Sequence, residues 1–493
     1  MHWRAEPTAD TTPTRAPRRA ARPPAASAAP LALRALGLAV AALLTANGVV
    51  VAEQVSHRDL ITLSRDGVSN AEDAIANLLG HGKDDDAKVA GAVLEQTTTS
   101  TTGAPDTTST TAAPAAAAPP TTGAPDPTTT GPKAPAATTP TTAKKPSAGA
   151  AAVDWPKVVD TVRPYIEKET GLPFTGAVKV SLLDGGAFTA RLGAVRLDPA
   201  VARAQRAEPI LKALGIIEPG VNLADQVKRL STGSVTAFYD PKANELIIKP
   251  GQLTPYMLKT IVHALGRADY DQHFELYRPN LVSPDDETGV AWDSLVEGTA
   301  SRIEARFVSA LPDNDKKAVQ AEQQRLAGQL PKDLPDYVLV QYAFPFGSGP
   351  KFADTLMTDG GAARVNAAFQ NPPTTSEQII HPDKFLAGEG PKPLADPPAD
   401  APAIRSGSMG QLMISLMLAQ VLDSGDAESA ADGWGADRYV AWMNGAQTCV
   451  RLAITMDTPD KTTEMGQALA SWAKDTPGAA VTGSGPFTVT RCV

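Results

Sequence analysis

The stretch from Thr97 to Ala150, which begins TTTSTTGAPDTTSTTAAPAAAAPPTTGAPDPTTT, has no aromatic residue and almost no aliphatic one beyond alanine. Such a segment has nothing to bury, so it cannot offset the conformational entropy of ordering, and it reads as an extended, disordered stalk. It divides the 493-residue chain into pieces that must be read separately. Only residues 151 to 493, 343 in all, are long and apolar enough for one large domain with a substantial core.

Upstream of the stalk, residues 1 to 34 carry Arg4, Arg15, Arg18, Arg19, Arg22 and Arg34 against only Glu6 and Asp10, in a Pro- and Ala-rich context. This is the composition of a disordered basic arm. The uncharged run ALGLAVAALLTANGVVVA, residues 35 to 52, is just long enough to cross a bilayer as a helix. The arginine excess before it predicts a cytoplasmic arm and an extracytoplasmic remainder, hence a single-pass cell-membrane protein. Secretion after cleavage of a signal peptide is the alternative, because VVA before Glu53 suits a small-residue cleavage site. Residues 53 to 96 have helix-like apolar spacing broken by HGKDDDAK and read as a partly helical juxtamembrane segment.

The formal charge of −9, with no basic cluster in the C-terminal part, argues against nucleic acid as a partner. The two cysteines, Cys449 and Cys492, have no C-x-x-C neighbour. In an exported domain they are expected to form a disulfide.

Within 151–493 the pattern predicts an α+β fold. DWPKVVDTVRPYIEKETGL reads as a helix and AVKVSLLD as a strand. A Pro- and Gly-punctuated segment around LKALGIIEPG precedes SVTAFYDPKANELIIKP, two strands joined at residues 240–244. Helices are expected over the stretch IVHALGRADYDQHFEL and near 291–310, 312–328, 349–370 and 408–422. The C-terminal part reads strand, strand, helix, strand. The Met-rich SMGQLMISLMLAQVL is expected in the core, GWGADRY is expected to form a tight turn placing Trp434 and Tyr439 as buried anchors, and the acids at 283–289 read as a solvated loop.

The helix at 261–276 carries the chemistry. Its residues His263, Ala264, Leu265, Gly266 and Arg267 occupy a frame in which zincins carry H-E-x-x-H. From about Trp155 onward, the order GSVTAFYDPKANELIIKP, TIVHALGRADYDQHFEL, DSLVEGTASRIEARF, YAFPFGSGPKFADTLMTDGGAARVNAAFQNPPTTSEQIIHPDKF and GWGADRY resembles a group of bacterial exported, zincin-like neutral zinc metallopeptidases. Their helix reads V-H-E-L-T-H-A-L-Q-D-Q-H-F-D-L and is followed by a ligand glutamate in an E-G-x-A segment. The resemblance implies a zincin-like metallopeptidase fold, with His263 at the first metal-ligand position and Glu297 of VEGTA at the third.

The departures decide the functional expectation. Ala264 stands where the general-base glutamate belongs, a loss that typically costs a factor of about a hundred to ten thousand in rate. Arg267 stands at the second ligand position; a guanidinium stays protonated and has no lone pair to give a metal. Arg267 is expected instead to take the place of the metal and pair with Glu297. The four positions thus read as vestigial, with no catalytic or metal-binding residue and no cofactor; weak residual zinc binding at His263 and Glu297 stays open. His273 matches a histidine of the family, and His381 in IIHPDKF lies in a stretch that matches a family turn; both are expected to be structural.

The expected function is that of a membrane-anchored, extracytoplasmic pseudoprotease, a scaffold that binds a protein, peptide or envelope component without hydrolysis. The alternatives are an active zinc metallopeptidase with a rearranged site of His263, His273 and Glu297, and a structural envelope spacer.

Overall fold

The computed structural model describes residues 153–230, 235–278, 281 and 287–493. The arm at 1–34, the apolar run at 35–52, the juxtamembrane segment at 53–96 and the stalk at 97–150 lie outside the described residues, as does most of the acidic loop at 283–289. Among the described residues no helix is long and apolar enough to cross a membrane.

Helix α1 (Trp155–Thr170) starts where the Asp154 side chain accepts the Lys157 N–H at 3.2 Å, and it stops at Gly171, whose φ of 68° a glycine adopts without strain. Strand β1 (Lys179–Leu182) follows. Helix α2 (Gly185–Leu192), a π-helical turn (Gly193–Leu197), α3 (Asp198–Ala213) and α4 (Leu223–Leu230) then form a strap ahead of the hairpin β2 (Ala237–Asp240) and β3 (Glu245–Ile248). The three strands make one sheet, in the order β1-β3-β2, with β1 parallel and β2 antiparallel to β3. Phe188 of the strap packs edge-on against Phe238, and Arg191 pairs with Asp240 at 2.6 Å and Glu245 at 3.2 Å. The sequence pattern left 185–213 without an element, because α2 buries only Phe188, and Pro209, which lies inside α3, counts against a helix there.

Helix α5 (Pro255–Phe274) begins with Thr254 accepting the Met257 N–H at 3.1 Å and Pro255 in the first turn. From Tyr256 to Tyr270 almost every residue of it is buried, polar ones included, which makes it the spine of the first core rather than an amphipathic surface helix. Helices α6 (Thr288–Ala310), α7 (Asp313–Ala327) and α8 (Asp336–Gln370) complete that unit. Helix α8 starts well before the predicted 349; Pro345 and Pro350 lie inside it, and its break falls at Gly360–Gly361.

Helices α6 and α8 meet glycine to glycine. A Cβ on Gly298 would lie 2.2 Å from the Gly349 carbonyl carbon, and one on Gly349 would lie 2.4 Å from the Ser294 carbonyl oxygen. Both obstacles are backbone, so no side-chain rotation relieves them. Gly298→Ala is therefore expected to force the helices apart and cost about 2 to 3 kcal/mol, read as a lower urea midpoint at unchanged slope.

The remaining elements are α9 (Ser376–Ile380), α10 (Pro382–Ala387), β4 (Ala403–Gly407), α11 (Gly410–Leu418), α12 (Ser424–Ala431), β5 (Trp434–Asn444), β6 (Gln447–Met456), α13 (Pro459–Asp475), β7 (Ala480–Thr482) and β8 (Phe487–Cys492). Their five strands form an antiparallel sheet, ordered β4-β5-β6-β8-β7, over a second core that includes Met413, Met417, Trp434 and Trp472. Two strands, β4 and β7, add to the predicted strand-strand-helix-strand pattern. Cys449 and Cys492 face each other across β6 and β8 and form a disulfide. The turn of GWGADRY is confined to Gly433, at φ 76°, and Trp434 already opens β5, buried with its indole N–H on Asp437. The fold is α+β.

Candidate functional site

Lys259, His263 and Arg267 recur every four residues on α5 and so line one face of it, while Glu297 and Glu304, seven apart, line one face of α6. The two helices run in opposite directions here, because the earliest residue of the α5 row meets the latest of the α6 row. Lys259 Nζ lies 2.6 Å from Glu304 Oε1, and His263 Nδ1 lies 3.2 Å from Glu304 Oε2. The other imidazole nitrogen, Nε2, is 3.1 Å from Glu297 Oε2, and Arg267 Nη1 donates to Glu297 Oε1. The result is a ladder of interleaved basic and acidic side chains with the imidazole at its centre.

One end of the ladder is dry and the other meets water. Lys259, Glu304 and His263 are 1% exposed, whereas Arg267 is 12% and Glu297 15% exposed. At the wet end Phe346 of α8 lies 6.5 Å from the His263 ring, centroid to centroid, and Tyr342 lies 5.8 Å from Phe346. Arg196, on the π-helical turn of the strap, faces Glu297, Arg267, Tyr342 and Asp293. Asp293, one turn before Glu297, approaches Arg203 at 3.8 Å.

Burial alone would raise the Glu297 carboxyl. The Arg267 guanidinium, the His263 contact and Arg196 outweigh it and hold that carboxyl well below the usual carboxylate range. The Asp293 carboxyl is raised, because its loss of hydration outweighs the pull of Arg203, Arg267 and Arg196. Burial and the facing Arg267 lower Arg196, against the pull of Glu297. Beside Arg267, the Tyr239 hydroxyl of β2 donates to Asp271 at 2.6 Å, and burial followed by that bond raises the phenol.

His263, Arg267 and Glu297 are thus brought together, with Ala264 buried among the core residues and offering no proton acceptor. The alternative set of His263, His273 and Glu297 is not assembled. His273 lies about 15 Å further along the axis of α5, where its Nε2 bonds the Pro173 carbonyl at 2.8 Å. His381 sits between α9 and α10 and faces Asp432 at 3.0 Å and Gln411. The sequence reading missed Lys259 and Glu304, although both carry a usable signal: each continues the helical spacing of a residue already singled out. Arg196 carries no such signal, since only the packing of the strap brings it to Glu297.

Both Glu297 oxygens are engaged, by His263 and by Arg267, and a guanidinium has no lone pair to offer a metal. Among the described residues no three His, Cys, Asp or Glu side chains converge in a way that could hold a metal ion.

Residues 401–491 match the family described as Domain of unknown function (DUF8575), which takes in most of β4 through β8 and leaves α5 and α6 outside. No curated protein and no solved structure matches the chain.

Proposed function

We propose that this chain is a membrane-anchored, extracytoplasmic pseudoprotease: a zincin-like scaffold that binds a protein, peptide or envelope component and does not hydrolyse it. The observation that carries this reading is the Arg267 guanidinium seated on the Glu297 carboxylate, where the resemblance places a metal between the two helices. A permanent cation there neutralises the third-ligand carboxylate that zinc would otherwise neutralise. The hairpin leading into α5, and α6 returning antiparallel with VEGTA opposite His263, support the zincin-like reading. The apolar run at 35–52 and the cystine of the C-terminal sheet support export into an oxidising compartment.

The test is elemental analysis of the full-length protein produced with zinc in the medium, beside a peptidase assay on a mixed peptide library. The expected result is substoichiometric zinc and no cleavage above a blank. One zinc per chain, or cleavage abolished by Glu297→Gln, would overturn the proposal.

A further inference from the structure

At the wet end of the ladder there are more donors than acceptors. Arg196 makes no hydrogen bond and no ion pair with any described residue, although its guanidinium faces Glu297, Arg267, Tyr342 and Asp293. Arg267 spends Nη1 on Glu297, and its Nε is buried without an acceptor. The Tyr342 hydroxyl, which faces Arg196 and Glu297, donates to no described residue. Glu297 gives one oxygen to His263 and the other to Arg267, and Asp293 stands 3.8 Å from Arg203. Three guanidiniums, Arg196, Arg203 and Arg267, therefore face two carboxylates, which leaves one positive charge in excess.

A group that resolves this arrangement must bring negative charge and several lone pairs. Planar guanidiniums take carboxylate and phosphate oxygens in paired hydrogen bonds, and a phenol hydroxyl adds a third donor. We propose that Arg196, Arg267 and Tyr342 form a binding site for an oxyanion, a carboxylate or phosphate group carried by the ligand of this scaffold. The inference rests on reading the protein as a binding scaffold rather than a hydrolase. It also gives the strap a function: the packing of Phe188 on Phe238 and of Arg191 on Asp240 holds the strap that carries Arg196 to within the field of Glu297 and Arg267.

The two sources of such a group are separable with simple probes. Inorganic phosphate and succinate are titrated separately into the full-length protein at low ionic strength, followed by calorimetry. At least one is expected to bind saturably, and Arg196→Ala is expected to weaken it about tenfold or more while leaving the circular dichroism spectrum unchanged. Saturation by phosphate alone assigns a phosphoryl ligand, and saturation by succinate alone assigns a carboxylate. Arg196→Lys keeps the charge but not the planar fork, and an intermediate affinity is expected for it. Saturable binding of neither probe, or an affinity that Arg196→Ala leaves unchanged, overturns the site. The zinc measurement reports on the pseudoprotease reading independently, so a failure of either is told apart from a failure of the other.

Discussion

Arg267→Ala is expected to lower the unfolding free energy by about 3 to 5 kcal/mol, because it removes one partner of a nearly buried ion pair and leaves the other behind. Glu297 is 15% exposed and keeps only His263 as a direct partner once the guanidinium is gone. Arg196 still faces it, which favours the lower end of that range. The penalty belongs to an uncompensated carboxylate, so adding Glu297→Gln to Arg267→Ala should recover most of it. The pH dependence gives an independent check. The folded carboxyl of Glu297 is depressed below its ordinary 4.5, so the stability it contributes is present above that pH and is lost as pH falls through the folded value. The difference between parent and Arg267→Ala should therefore be largest at neutral pH and shrink in acid. Urea unfolding of both proteins at several pH values measures it. A difference below about 1 kcal/mol at pH 7, the size of an exposed pair, would show that Arg267 does not neutralise a buried charge.

How far the sequence reaches into this molecule depends on whether a feature is local. The start of α5 is local: Thr254 and Pro255 are a cap and a first-turn proline, and the hairpin before it is marked by Asp240, Pro241 and Asn244. Residues His263 and Arg267 could be placed on one face by counting, and Glu297 was reached only through the resemblance of VEGTA to a ligand segment. By contrast, α8 starts at Asp336, well before the expected 349 and ahead of Pro345, and it is held against α6 by a contact between Gly298 and Gly349 that neither segment discloses alone. The strap is the extreme case. Its α2 buries a single phenylalanine, so nothing in its own pattern announces a helix, yet it carries Arg196 to the wet end of the ladder. Lys259 and Glu304 lie between these cases, since their spacing was visible and their partnership was not.

Stability is expected to fall as pH rises from about 5 to about 9, by as much as roughly 5 kcal/mol through Glu287 alone. Glu287 lies at the N-terminal end of α6, where its Oε2 accepts the Ser376 N–H at 2.8 Å and the Ser376 hydroxyl, while Oε1 is buried without a partner. A Cβ on Gly410 would overlap this carboxyl, so only glycine lets α11 come so close. Gly410 donates its own N–H at 2.8 Å to Asp437, which also accepts from Met409, Ser408 and Trp434. Burial, with the charges of Asp437 and Glu377 adding to it and the Ser376 bonds opposing it, pushes the Glu287 carboxyl up to about 8 from an ordinary 4.5. The folded protein thus holds a proton that the unfolded chain has lost. Its advantage is complete below 4.5 and disappears as pH rises through the folded value. Glu377, raised to about 7, and Asp269, raised to about 6, act in the same direction, so the parent curve by itself does not isolate Glu287. Glu287→Gln does: the amide keeps an acceptor for Ser376 and cannot ionise. The variant is expected to match the parent near pH 5 and to exceed it increasingly toward pH 9. Parallel curves for the two proteins would mean that Glu287 is already ionised in the fold, with its charge accommodated between α6 and the C-terminal sheet.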